Sequence, residues 1–214
     1  MVTNFNVDDR LLDKYLSQAT KYRTWKLGND CLYSLCANNP HHGRIEDVVA
    51  KLWLIGRSYS AALERRKNKH KNDPEFYEYI AAPAIIKSEL DFQLKRVREY
   101  PGITNKNLHI LIEIHSFLTN LFCQITELNK VSLASKYLHF HFPAHFFLMD
   151  SRARIGLRKL AKGARTSLSF PDDYGYGKFC AKLIALRQHI NTTKGQWLSP
   201  RKIDTLLLMI ADTE

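Results

Sequence analysis

Apolar residues recur at three- and four-residue intervals along most of the chain, the spacing of a single buried helical face. Residues 7–23 carry Leu11, Leu12, Tyr15, Leu16 and Ala19 on such a face, behind an aspartate-rich start. Residues 24–40 follow, interrupted by Gly28 and ended by Asn-Asn-Pro. The longest helical pattern covers 44–72, with Val48, Leu52, Ile55, Tyr59 and Ala62 in one stripe and a solvated basic run at its end. Residues 73–102 read as one or two helices interrupted at Pro83 and closed by Pro101-Gly102, and residues 104–130 as one strong helix. Two more patterns, 174–191 and 199–213, complete the set, the last with Ser199 as N-cap and Pro200 at the first helical position. Strand-type alternation spans only a few residues; "YLHFHF" (137–142) is read as a helix end, and the longest loop is 163–177. The pattern predicts an all-α chain, a single domain over 1–214.

Charge then narrows the partner. The chain has 32 Lys and Arg against 21 Asp and Glu, a formal charge of +11. An excess of this size favours a polyanion, most often nucleic acid. The start of the chain has no apolar core of a signal peptide, and no run reaches the roughly 18 apolar residues of a membrane span. A cytoplasmic protein with no membrane contact and no obligate protein partner is expected. Cys31, Cys36, Cys123 and Cys180 form no dense framework and are read as free thiols. Cys31, Cys36, His41 and His42 match no standard zinc spacing, so neither metal nor cofactor is expected. No Walker motif, dinucleotide-binding glycine pattern or nucleophile elbow occurs.

One stretch concentrates the candidate chemistry: "SLASKYLHFHFPAHFFLMDSRAR", residues 132–154. On a helix, Lys136 shares a face with Ser132, His139 and Phe140, and Pro143 ends that helix. An apolar crossing leads to Asp150, where a basic helix opens. Each charge has two readings. Asp150 is a good helix N-cap, or a carboxylate aimed at a substrate. Lys136 is an amphipathic residue with a buried stem, or a nucleophile.

A lysine on a helix, a short proline-bearing crossing and an aspartate opening a basic helix resemble the active-site layout of the helix-hairpin-helix DNA glycosylases, the superfamily of endonuclease III and the 8-oxoguanine glycosylases. The resemblance implies a two-lobed all-α fold, here with a cleft between 44–70 and 130–160. It implies base excision from double-stranded DNA with the target base flipped out, in repair or in defence against phage DNA carrying hypermodified bases such as glucosylated hydroxymethylcytosine. Asp150 would stabilise the sugar cation, and Lys136 would attack C1′ and form the Schiff base of a lyase. Before Lys136 the chain reads "LNKVSLASK", where the superfamily has a Pro-Gly hairpin, and Arg152 stands where a histidine is common.

The chemistry fits the residue types. A carboxylate held at C1′ stabilises positive charge on the sugar without reorganising water. A lysine attacks only as the neutral amine, which burial and neighbouring cations favour. The candidate base pocket is Trp53, Arg57, Tyr59 and His139; Arg57 has the alternative of a pair with Glu64. Ser151, Arg152, Arg154, Arg158 and Lys159 are candidate phosphate contacts.

Three alternatives stay open. Lys106, in "YPGITNK", follows a more hairpin-like Pro-Gly but lacks a following aspartate. A non-catalytic nucleic-acid-binding module would use the same basic surface. Arg65 and His70 have the Arg-x4-His spacing of all-α ribonucleases of the HEPN class.

Overall fold

Side-chain caps mark the starts of the helices that begin at residues 9, 151 and 200. In the computed structural model, which describes residues 2–3, 5–21, 23, 25–69, 75–162, 165–166 and 174–213, Asp8 caps α1 (Asp9–Lys21) by accepting the Leu11 N–H at 3.0 Å. α2 (Lys26–Asn38) and α3 (Ile45–Ser58) follow. A π-helical turn (Phe76–Ala81) runs into α4 (Ala82–Ile86), and α5 (Leu90–Val97) comes next. α6 (Leu108–Thr126) and α7 (Val131–His141) precede the crossing. α8 (Ser151–Leu160), α9 (Tyr176–Lys194) and α10 (Pro200–Ala211) complete an all-α framework.

Two expectations change. The 44–72 pattern is not one helix, because α3 stops at Ser58. Ser60 takes a positive φ, the Ala61 N–H donates back to the Gly56 carbonyl at 2.8 Å, and a Cβ on Gly56 would lie 2.9 Å from the Ala62 Cα. The chain thus folds back over the end of α3. Pro83 does not end its helix either. It follows the change from π-helical to α-helical turns at Ala82, and the break falls at 87–89.

Short ladders absent from the sequence reading tie the N-terminus down. β1 (Val2–Thr3) pairs antiparallel with β4 (Arg165–Thr166), and β2 (Asn6–Val7) with β3 (Ala161–Lys162). With two residues per strand, alternation has no length in which to show.

α7 lies inside the protein, packed by α2, α3 and α6. α6 is long and apolar enough to cross a membrane by length and composition, yet 11 of its 19 residues are buried in the core. The crossing after α7 is braced by the Pro101-Gly102 turn. The Ile103 N–H donates to the Ala144 carbonyl at 3.1 Å, and His145 Nε2 donates to the Tyr100 carbonyl at 2.6 Å.

α10 packs along α8 and α1. Gly156 makes the first contact intimate: a Cβ there would lie 2.0 Å from the Leu207 carbonyl oxygen. Gly156→Ala is therefore expected to cost about 3 kcal/mol, the upper end for overpacking. Urea unfolding measures it, and an unchanged midpoint would mean that the two backbones do not touch there.

Candidate active site

The crossing brings Lys136 and Asp150 together. Lys136 Nζ lies 3.1 Å from Asp150 Oδ2, 14 residues later in the chain, and donates to Ser132 Oγ at 2.6 Å. The lysine side chain is 1% exposed and the aspartate's 29%. Asp150 is also the N-cap of α8, its Oδ1 accepting the Ala153 N–H at 2.9 Å. One oxygen thus caps a helix while the other faces an ammonium. Burial alone would raise the Asp150 carboxyl. Lys136, the Ala153 N–H and Arg152 together outweigh burial and hold it below the usual carboxylate range. The position is fixed from behind as well: Ser135 Oγ accepts the Met149 N–H at 3.0 Å, so α7 holds the crossing one residue before Asp150.

Ser132 also lines a cleft of about 400 Å³ between residues 60–66 and 128–133. Arg65, Arg66 and Lys130 supply its charge. In the basic run, Arg65, Arg66, Asn68 and Lys69 are exposed and Lys67 is buried. Arg65 lines the cleft, its Nη1 donating to the Ser60 carbonyl at 3.3 Å, while Lys130 donates to the Arg65 carbonyl. His70, the partner of Arg65 in the ribonuclease reading, lies outside the described residues.

A second polar group sits beside the pair. Tyr59, at the end of α3, presents its ring to Lys136 Nζ at 5.8 Å and to the Arg201 guanidinium at 5.5 Å. Its hydroxyl donates to Asn29 Oδ1 at 2.5 Å. Arg201, on the first turn of α10, donates through Nε to the Tyr33 hydroxyl at 3.0 Å and through Nη1 to Asp204 Oδ2 at 3.2 Å. His139 Nδ1 faces the Phe146 carbonyl at 2.8 Å, which can only accept, so that nitrogen carries the proton. Nε2 then accepts from the Tyr33 hydroxyl at 2.7 Å. Burial, reinforced by Arg201, holds His139 well below its usual range and therefore neutral. Asp204 is buried and its carboxyl is pushed up to about 6; Arg201 opposes the rise and Asp150 adds to it.

The structure thus unites Lys136, Asp150, Tyr59 and, through Tyr33, His139. Trp53 and Arg57 lie elsewhere. Trp53 is 44% exposed with the Arg57 guanidinium over its ring at 5.4 Å, and Arg57 pairs with Glu64 at 2.5 Å. On α8, Ser151, Arg154 and Arg158 are exposed, the two arginines without an ion-pair partner among the described residues. Arg152 instead pairs with Asp212, and Lys159 turns to the end of α10, where the Ala211 carbonyl accepts at 3.3 Å. Lys106 is exposed, away from any such pair.

Tyr33, Asn29, Arg201 and Asp204 escaped the sequence reading. Asp204 left a trace, as an acid within the apolar run "IDTLLLMI". Among the described residues no group of three His, Cys, Asp or Glu could hold a metal; His42 is taken up by Asp91 and Tyr137. No family model, no curated protein and no solved structure matches the chain.

Proposed function

We propose that this chain is a DNA glycosylase of the helix-hairpin-helix kind, in which Lys136 is the nucleophile and Asp150 the sugar-stabilising carboxylate. The observation that carries the reading is the Lys136–Asp150 contact at 3.1 Å, beside a cleft lined by Arg65, Arg66 and Lys130. The two-lobed fold, with its cleft between 44–70 and 130–160, belongs to the same proposal. So do cytoplasmic action on double-stranded DNA and a role in repair or in defence against hypermodified phage bases.

A sugar entering along Ser132 and the open side of Asp150 would meet both groups. The Lys136 amine, once deprotonated, bonds C1′ while the C1′–N bond to the base breaks. The base leaves with that electron pair and takes up a proton. The C1′–O4′ bond then opens, O4′ keeping the electron pair and taking up the remaining amine proton, and the nitrogen lone pair closes the imine. Asp150 lowers the energy of the cationic sugar on the way, the step at which preorganised charge counts most.

The test is borohydride trapping on duplex DNA containing an abasic site, run beside base release from duplexes carrying 8-oxoguanine, uracil or glucosylated hydroxymethylcytosine. A trapped adduct or a released base is expected. Neither product after long incubation would leave the second reading, binding without chemistry. One observation favours that second reading: Lys136 is nearly solvent-free and already engaged by both Ser132 and Asp150.

The duplex contact makes its own prediction. Arg154 and Arg158 are the exposed cations of α8 without an ion-pair partner among the described residues. Arg158→Ala is expected to weaken binding equally for all sequences and to reduce the slope of log affinity against log salt by about 0.9. A slope equal to that of the parent removes Arg158 from the interface.

A further inference from the structure

The Arg201 guanidinium lies among the faces of Tyr33, Tyr59 and Phe140, at 5.9, 5.5 and 5.4 Å from their centroids. Two of its nitrogens are spoken for, Nε by Tyr33 and Nη1 by Asp204. The third, Nη2, is buried and has no hydrogen-bond partner among the described residues. A buried N–H pair without an acceptor is expensive, more so on a cation. Rotation cannot relieve it. The Tyr33 proton is already committed to His139 Nε2, whose other nitrogen is committed to the Phe146 carbonyl. The Tyr33 oxygen is thereby oriented to receive Nε, and Asp204, three residues on along α10, holds Nη1. Helix start and ring contacts fix the rest: Ser199 caps α10 by accepting the Lys202 N–H, with Pro200 next.

The position of this donor matters as much as its vacancy. Arg201 and Lys136 approach the same Tyr59 ring, at 5.5 and 5.8 Å. Tyr33, Tyr59 and Arg201 are all partly exposed, as Asp150 is. In a nucleotide the base is bonded to C1′. A donor one aromatic ring away from the amine that attacks C1′ therefore faces the base rather than the phosphate.

We infer that Arg201 reads the extruded base. Its free Nη2 donates to a carbonyl oxygen or an unprotonated ring nitrogen of a nucleobase lying against Tyr59, and Tyr33 and Asp204 aim it. A base presenting an N–H at that point would set donor against donor and be refused. The assignment rests on the glycosylase reading of Lys136 and Asp150 and adds the specificity element that this pair lacks.

Arg201→Lys tests it, because lysine keeps the charge beside Asp204 but cannot hold Tyr33, Asp204 and a base together. Two probes are compared with the parent protein: duplexes carrying 8-oxoguanine, uracil or glucosylated hydroxymethylcytosine, and a duplex carrying an abasic site, which has no base to read. The variant is expected to release the preferred base roughly 10- to 100-fold more slowly, the range of a lost charged hydrogen bond. Its borohydride adduct with abasic DNA should form at the parental rate. Tyr33→Phe, which removes the oxygen that receives Nε, should shift the same two readouts in the same directions, and serves if the lysine variant does not fold. Equal loss on both probes makes Arg201 a structural residue and overturns the inference. So does undiminished base release, or a parent protein that traps abasic DNA while discriminating among none of the bases. A parent inert on every probe instead brings down the glycosylase reading itself.

Discussion

Lys136→Met will form no covalent adduct with abasic DNA under borohydride, whereas Asp150→Asn will still form one but release base about 10²–10³-fold more slowly. The two residues touch, yet they are asked for different things. The adduct requires a nitrogen that bonds C1′, and only Lys136 has one within the pair. Stabilising the sugar cation requires negative charge, which Asn lacks while matching Asp in shape and as an N-cap. The stability of the two variants should diverge in the opposite sense. Asp150→Asn keeps the bond to the Ala153 N–H but leaves the nearly solvent-free Lys136 ammonium without its counter-charge. Breaking a buried pair in this way costs about 3 kcal/mol. Lys136→Met removes the buried charge instead, puts an apolar chain beside Tyr59, and leaves Asp150 capped and partly hydrated. That change should be close to neutral. Trapping gels, single-turnover base release and urea unfolding on the two variants separate these effects. An adduct of parental yield with Lys136→Met would take the nucleophile role from this lysine. Parental base release with Asp150→Asn would reduce Asp150 to a helix cap.

Local signals made the Lys136–Asp150 pair legible. Pro143 closes α7 and an aspartate opens α8, and a crossing of apolar residues between them has to return through the core. The 3.6-residue stripes carried most of the fold for the same reason. What stayed hidden depends on pieces far apart in sequence. Arg201 and Tyr33 are 168 residues apart, and neither stands out in its own helix. Lys51 is fully buried, with its ammonium on the Asn39 and His41 carbonyls just after α2, partners that come from outside its own helix. Arg57 had two readings, a pocket wall and a pair with Glu64, and the second is the one found: the stripe has an exposed edge on which Arg57 meets Glu64. The end of α3 turned on Gly56, whose close approach to Ala62 is a tertiary contact that periodicity cannot register.

The folded protein should lose stability steeply between pH 6 and 5, by roughly 3 kcal/mol per pH unit, because its interior holds histidines that have to stay neutral. His115 is fully buried and stacked on Tyr176 at 3.8 Å; burial brings it down to about 3, with the Val131 carbonyl only partly opposing. Its Nδ1 has no partner among the described residues, so a second proton there would find no acceptor among them. Burial, with His42 and Lys51 beside it, likewise holds His141 well below its usual range, and its Nε2 too has no partner among the described residues. Protonated His139 would lose the Tyr33 hydroxyl bond and confront Arg201. In each case the folded state binds the proton more weakly than the unfolded chain, whose histidines titrate near 6.5. The stability from these groups is complete above that value and is lost as pH falls below it, at about 1.4 kcal/mol per unit for each. Asp204 works against the trend. Its carboxyl is raised to about 6, so the folded state takes up that proton first and gains about 1.4 kcal/mol per unit from pH 6 down to 4. Three histidines against one carboxyl give that figure, large beside a typical total of about 5–15 kcal/mol; His42 and His145, also lowered by burial, add to the loss in the same direction. Asp150 and Asp91, both lowered, add their loss only in more acid solution, below the unfolded carboxylate range. Urea midpoints at pH 7.5, 6.5 and 5.5 measure the slope. His115→Phe keeps a ring against Tyr176 without a titrating nitrogen; it should cost stability at pH 7.5 yet flatten the acid loss by about 1.4 kcal/mol per unit. A parent protein equally stable at pH 7.5 and 5.5, or a variant with the parental slope, would show that these histidines are not held neutral by the fold.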